Sequence, residues 1–238
     1  MKVTYIAHSG FFVELEERCI LFDYWKGDVP AIDKPLTVFV SHGHADHFGE
    51  DTFRVGERRP GTRYVLSADI RADRERLERM GARGKILSRC LFAEPEQTYE
   101  LDGLRFRTLR STDLGTAYLL RCGGRSLYHA GDLHLWLWGA EDTPEEEAAM
   151  RAAFAREMEM LRGERVDAAF LPLDPRLDEE HYALGLDEYA AALRAEHIFP
   201  MHCWGQYDVI ERAAARPSAA PYADRLVRIT GEGQTFTI

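Results

Sequence analysis

The order of apolar and polar residues divides the chain into short strands and a few helices. Residues 3–7, 11–15 and 18–22 are β-branched or aromatic runs separated by Ser9-Gly10 and Glu16-Glu17. Residues 36–40 form a continuous apolar run, the pattern of a strand covered on both faces, and it ends at Ser41. Tyr64-Val65-Leu66 predicts another strand. Ile70, Leu77 and Met80 then fall on one helical face, with Gly81 just past its end. The middle returns to strands. An Asp102-Gly103 turn and a Gly123-Gly124 turn each sit between strand-like runs and predict two hairpins.

A helix follows, with Thr143 and Glu146 as a capping box and Pro144 at the first helical position. Met150, Phe154, Met158 and Leu161 mark its apolar face, and Gly163 stops it. Beyond it the pattern predicts a strand over 168–171 and a helix capped by Asp187. A short strand at Ile198-Phe199 and two last strands over 226–229 and 235–238 complete the series. Strands cluster, helices follow, and the order recurs without a Pro/Gly/Ser-rich linker between the halves. This predicts one domain over residues 1–238, an α+β fold with sheets inside and helices outside.

Composition narrows the class. The chain has 238 residues, 45% hydrophobic and 29% charged, an ordinary globular balance with material for a sizeable core. No apolar run approaches the ~18 residues of a membrane span. The N-terminus lacks a signal-peptide pattern, so a cytoplasmic location is expected. The net charge of -10 disfavours nucleic acid and anionic membranes as partners. A small molecule is the expected partner. Cys19, Cys90, Cys122 and Cys203 lie far apart with no C-x-x-C pair, which predicts reduced, mostly buried thiols.

The chemistry gathers directly after the buried strand. Residues 42–47 read His42-Gly43-His44-Ala45-Asp46-His47. His42 and His44 are two apart, so on an extended segment both leave one face and converge on one ion. Asp46 and His47 lie on the following turn and point elsewhere, which suggests two neighbouring metals rather than one.

This H-x-H-x-D-H pattern resembles the metallo-β-lactamase-fold hydrolases, and further motifs of that family appear in order. Asp23, after Cys19-Ile20-Leu21-Phe22, matches the acidic residue that supports the histidine loop. Asp132, in His129-Ala130-Gly131-Asp132, matches the metal-bridging Gly-Asp. His202, in Ile198-Phe199-Pro200-Met201-His202, matches the last histidine. The resemblance spans roughly residues 3–204. It implies a four-layer αββα sandwich and a hydrolase working through a metal-bound hydroxide on a small ester, lactone or phosphoester. A nuclease of the same fold and a non-catalytic metal-binding protein are the alternatives. Ser111-Thr112-Asp113-Leu114-Gly115, Gly131-Asp132-Leu133 and Asp174-Pro175-Arg176-Leu177 place the chain nearest the lactonase-like hydrolases.

The resemblance implies two ions, zinc before manganese or iron. His42 and His44 would hold one, Asp46, His47 and His202 the other, and Asp132 would bridge. Asp46 would also orient the hydroxide and accept its proton. Asp23 would fix the loop or one imidazole. One motif departs: residues 110–115 hold no histidine where the family has one. Asp113 occupies the expected place in chain order as an oxygen ligand. His134 or His129 supplying an imidazole, or a weak first site, are the other accounts.

Weaker candidates surround the cluster. His8, in the turn between the first two strands, reads either as lining the site beside the ligands or as a satisfied loop histidine. His134 reads as site-lining, a ligand or a general acid for the leaving group, or as a surface histidine beside Trp136. Trp136 and Trp138 read as a half-buried strand or lid, or as an aromatic wall. Arg176 reads either as a holder of an anionic substrate or as a salt-bridged arginine. Cys203 reads as a buried thiol, His181 and His197 as structural, and residues 71–85 as a solvated helix face.

Overall fold

Alternation along the strands sorts side chains into two cores. The computed structural model describes residues 1–31, 33–57, 59 and 61–238. In chain order the strands are β1 (Lys2–Ala7), β2 (Gly10–Glu14), β3 (Cys19–Phe22), β4 (Leu36–Val40), β5 (Arg63–Ser67), β6 (Cys90–Ala93), β7 (Thr98–Leu101), β8 (Leu104–Arg110), β9 (Thr116–Cys122), β10 (Arg125–His129), β11 (Arg165–Pro172), β12 (Arg194–Met201) and β13 (Thr235–Thr237). The helices are α1 (Thr52–Glu57), α2 (Arg74–Arg79), α3 (Pro144–Leu161), α4 (Leu184–Ala192) and α5 (Asp208–Ala214). One sheet runs β13-β1-β2-β3-β4-β5-β6 and the other β12-β11-β10-β9-β8-β7.

Phe11, Val13, Ile20, Phe22, Phe39 and Val65 point from the first sheet towards the second. There Phe11 meets Phe170 at 4.5 Å and Phe39 meets Tyr118 at 5.0 Å between ring centres. The alternate residues Phe12, Leu21, Val38, Val40, Tyr64 and Leu66 join Phe53 of α1 and Leu77 of α2 on the outer face. Phe154 of α3 and Tyr189 of α4 pack edge to face over the second sheet, where Tyr128 stands 5.7 Å from Tyr189. The order is therefore helix, sheet, sheet, helix, the αββα sandwich.

Both predicted hairpins form. Asp102-Gly103 and Gly123-Gly124 take positive φ at both turn residues (+49°, +78°, +57° and +74°), as a twist-matched two-residue turn demands. The capping box of α3 is also present.

Four expectations need correction. The helix read through Ile70, Leu77 and Met80 is split into a 3-10 turn, Ala68–Ala72, and α2. Asp73 stands between them and caps α2 by accepting from the Arg76 N–H. Asp187 is not an N-cap, because α4 already starts at Leu184; its carboxylate accepts from Tyr222 and Arg216 instead. Residues 226–229 make one bridge, Ile198 to Leu226, and no strand. Residues 133–138 carry no strand either. Among the described residues, no helix is long and apolar enough to cross a membrane.

Strands β3, β4 and β5 run parallel, as do β10, β11 and β12. Their carboxyl ends meet at one edge of the sandwich, and the chemistry-bearing residues leave from there.

Candidate metal centre

The loop after β4 is held in place before any ligand is considered. Asp23, at the end of β3, accepts from Ser41 N at 2.7 Å, from Ser41 Oγ at 2.6 Å and from His47 Nδ1 at 2.7 Å. Gly43 N donates to Asp69 at 2.9 Å. Arg76 donates to the carbonyls of Gly43 and Phe48, so the run 71–85 is not a purely solvated face as expected. Two glycines let other strands approach. A Cβ on Gly131 would lie 2.5 Å from Ser41 Cβ, and one on Gly115 would lie 2.1 Å from Ser41 O. Both have positive φ as well, so the glycine of the Gly-Asp motif is a packing requirement.

Two clusters of ligand atoms result. His8, Asp46, His47 and His202 form one; His42, His44, Asp113 and Asp132 form the other, with atoms inside each lying within 4.8 Å of one another. Asp132 reaches both. Its Oδ1 is 3.2 Å from His47 Nε2 and 3.6 Å from His202 Nε2, and its Oδ2 is 3.5 Å from His42 Nε2. His8, expected beside the ligands, stands among them, with Nε2 3.2 Å from Asp46 Oδ2. In the second cluster His42 Nε2 lies 3.1 Å from His44 Nδ1, and His44 Nδ1 lies 3.5 Å from Asp113 Oδ2.

These residues fit a metal. Nε2 of His8, His47 and His202 and Oδ1 of Asp132 are buried and make no hydrogen bond among the described residues. Leaving buried polar atoms unpaired costs about 1–3 kcal/mol each, so four of them grouped together call for a shared cationic partner. The charge states agree. Burial pushes His42 down to about 3 and His8 down to about 4, leaving the neutral imidazoles that metals take. Burial also opposes the charge on Asp132, but His47 and His202 outweigh it and hold the carboxyl well below its usual range. His47 is the exception: against burial, Asp132 and Asp23 raise it well above the ordinary histidine range.

A further set of contacts aims the ligands. His202 Nδ1 lies 2.8 Å from Asp174 Oδ2, and Asp174 also accepts Nε and Nη2 of Arg176. No local pattern assigns Asp174 this part; its one signal in the sequence is the Asp-Pro-Arg run directly after β11. Arg176 is thus salt-bridged. His8, Asp23 and His202 adopt left-handed backbone at φ +54°, +39° and +65°. Each such residue costs of order 1 kcal/mol and persists where surrounding structure enforces it.

The remaining candidates lie outside both clusters. His134 is wholly buried, neither ring nitrogen has a partner among the described residues, and burial pushes it down to about 4. It stands 4.8 Å from Trp136, ring centre to ring centre, and belongs to neither ligand cluster. His129 stacks on Phe22 and points Nε2 at the Ser9 carbonyl, 3.0 Å away. Cys203 is a buried thiol, raised by burial. His181 pairs with Asp178 and His197 faces the Asp167 carbonyl.

Comparison with known proteins bears on this geometry. Residues 2–148 match the Beta-lactamase superfamily domain. The chain belongs to that superfamily. Its fold and ligand order make it a member of the metallo-β-lactamase-fold, metal-dependent hydrolases. A UPF0173 metal-dependent hydrolase from Alkaliphilus metalliredigens is 27% identical over 189 residues, covering 73% of each chain. Another from Symbiobacterium thermophilum is 25% identical, covering 100% of this chain and 96% of its own. Among solved structures, Igni18, a metallo hydrolase from Ignicoccus hospitalis, superposes with a TM-score of 0.66 at 22% identity over 100% and 98% of the two chains. The metallo-β-lactamase fold protein YhfI from Bacillus subtilis gives 0.65 at 16% over 99% and 98%.

Proposed function

We propose that this member of the superfamily hydrolyses a small-molecule ester, lactone or phosphoester with two divalent ions, zinc before manganese or iron. The observation that carries the reading is Asp132, one carboxylate whose two oxygens face two separate ligand clusters. His8, Asp46, His47 and His202 would hold one ion, and His42, His44 and Asp113 the other, with Asp132 shared. Asp113 then takes the place of the missing histidine as an oxygen ligand. When bound, such ions polarise the scissile carbonyl or phosphoryl group and bring the pKa of water from 15.7 to about 7.

The protein's own residues do the rest. Asp46 is the most exposed member of the buried cluster, its side chain 23% accessible, so it is the carboxylate an entering water meets and the one placed to take its proton. Asp23 holds His47 through Nδ1 and Asp174 holds His202 through Nδ1, so both rings present Nε2 to the centre. Trp136 donates its indole N–H to the Asp132 carbonyl, which fixes the segment behind the shared carboxylate.

The test is a panel of lactone, carboxylester, thioester and bis-p-nitrophenyl phosphate substrates with the zinc-loaded chain, before and after chelation. Turnover of at least one substrate, abolished by chelator and restored by metal, is expected. No chelator-sensitive turnover on any member would leave a metal-binding protein without this activity.

A further inference from the structure

Beside the buried cluster, the guanidinium of Arg176 lies between two indoles. Its Cζ is 4.7 Å from the Trp204 ring centre and 5.8 Å from that of Trp138. Both rings are open to solvent, Trp204 by 39% and Trp138 by 38%, although most apolar surface of this chain is buried. Neither is isolated from the site. Trp204 stands 4.4 Å from His8 and 5.5 Å from His202, and its backbone is left-handed at φ +50°. Trp138 stacks on Trp136 at 6.2 Å, and Trp136 lies 5.6 Å from His202. Together they form a strip of aromatic surface that starts at the ligands and ends in water, with one cation in the middle.

That cation is held still. Nε and Nη2 are committed to Asp174, while Nη1 makes no hydrogen bond to the described residues, and the side chain is 46% exposed. Its charge is secured first by the hydrogen bonds to Asp174 and then, against burial, by the charges of Asp174, Asp132 and Asp46. Arg176 therefore stands within the field of the carboxylates that line the centre. A pinned, planar guanidinium loses little freedom when its remaining N–H groups take a ligand, and its fork suits a carboxylate or phosphate oxygen. Flanking indoles suit the flat or apolar body that carries such a group.

We propose that Arg176, clamped between Trp138 and Trp204, selects substrates bearing an oxyanion on a planar or apolar body next to the bond that is cleaved. This rests on the hydrolase reading and narrows its substrate class. It is a recognition role, distinct from the part Asp174 plays in orienting His202.

The experiment reads binding, not turnover. The zinc-loaded chain is titrated with benzoate, phenylphosphonate and neutral benzamide while tryptophan fluorescence is followed. Benzoate or phenylphosphonate is expected to bind at least about tenfold more tightly than benzamide, and the tighter of the two identifies the oxyanion. At saturating zinc, Arg176→Met should weaken the anions by roughly ten- to a hundredfold, the worth of a charge-assisted hydrogen bond, and leave benzamide binding unchanged. Arg176→Lys, which keeps the charge without the fork, should recover part of the loss. Equal binding of benzoate and benzamide, no anion binding, or an Arg176→Met chain that binds the anions as before overturns the proposal. Since no bond is cleaved in this assay, a failed substrate panel and a failed anion preference remain separable results.

Discussion

The two ligand clusters share a carboxylate but are built differently. In the buried cluster, His8, His47 and His202 are almost inaccessible, and each has a second restraint: Asp23 behind His47, Asp174 behind His202, and a left-handed backbone under His8 and His202. In the open cluster only His42 and Asp132 are buried; the His44 side chain is 52% exposed and that of Asp113 is 43% exposed. His42 is backed by Ser41 Oγ at 2.9 Å, whereas at Asp113 the backbone N–H donates to Ser111 Oγ at 3.1 Å and the carboxylate stays half exposed. One cluster is held in place by the fold. The other draws half its candidate ligands from exposed surface side chains, whose ordering a bound ion would have to supply. The difference teaches where the departure at residues 110–115 falls: the stretch without a histidine belongs to the cluster whose members are half exposed, Asp113 among them.

The largest effect that sharpens this contrast comes from removing one imidazole on each side. His47→Ala should lower zinc affinity at the buried cluster by more than about a hundredfold, above the 10–100-fold that loss of a supporting partner costs, and abolish turnover. His44→Ala should leave tight binding of one ion intact and weaken only a second, looser step. Stepwise zinc titration by calorimetry, with metal content by mass spectrometry, reads both. Equal losses from the two substitutions would break the contrast.

Next in size is the support of His202. Asp174→Asn keeps the volume but offers Nδ1 of His202 a poorer acceptor and loosens the Arg176 clamp. It should cost roughly 10–100-fold in zinc affinity at the buried cluster. The looser step should not move, because Asp174 touches no member of the open cluster among the described residues.

How far the sequence carried this picture depends on distance along the chain. The pairing of distant strands, such as β1 with β13, was not legible; most strands, the two hairpins and the α3 cap are decided by residues a few positions apart, and they were legible. So were the H-x-H-x-D-H run, Asp23, Asp132 and His202, because each follows directly on a strand whose apolar pattern is plain. What was not legible is set by long-range approach. Asp174 meets His202 across 28 positions, and Arg76 grips Phe48 across 28. His8 joins the ligands because the His202 N–H reaches the His8 carbonyl at 3.2 Å, a contact no local pattern encodes. Helix α1 was missed for a different reason: with six residues it is too short to show a helical period. Asp187 misled because a residue suited to capping was instead used inside α4 to hold Tyr222 and Arg216.

The smallest expected effect is also the one with opposite signs in the two states of the centre. Burial, and then the negative charge of Asp132, raise the Asp113 carboxyl above its ordinary value in the metal-free chain, against weaker help from His44. An acid whose folded pKa exceeds its unfolded one makes the charged form a cost to folding. That cost is fully present above the folded pKa and disappears as pH falls below the unfolded value of about 3.9. In chelated protein, Asp113→Asn should therefore raise the melting temperature near pH 7 and leave it unchanged near pH 3. The gain should stay below about 2 °C, because the side chain is nearly half exposed and screened, and 1 kcal/mol is worth roughly 2–4 °C in a chain of this size. In the zinc-loaded protein the same substitution removes an anionic ligand from the open cluster, so the melting temperature should fall and the looser binding step should weaken. A paired thermal scan with and without chelator reads both signs. A fall in both states would mean that Asp113 serves the fold rather than the metal, and a rise in both would remove it from the ligand set.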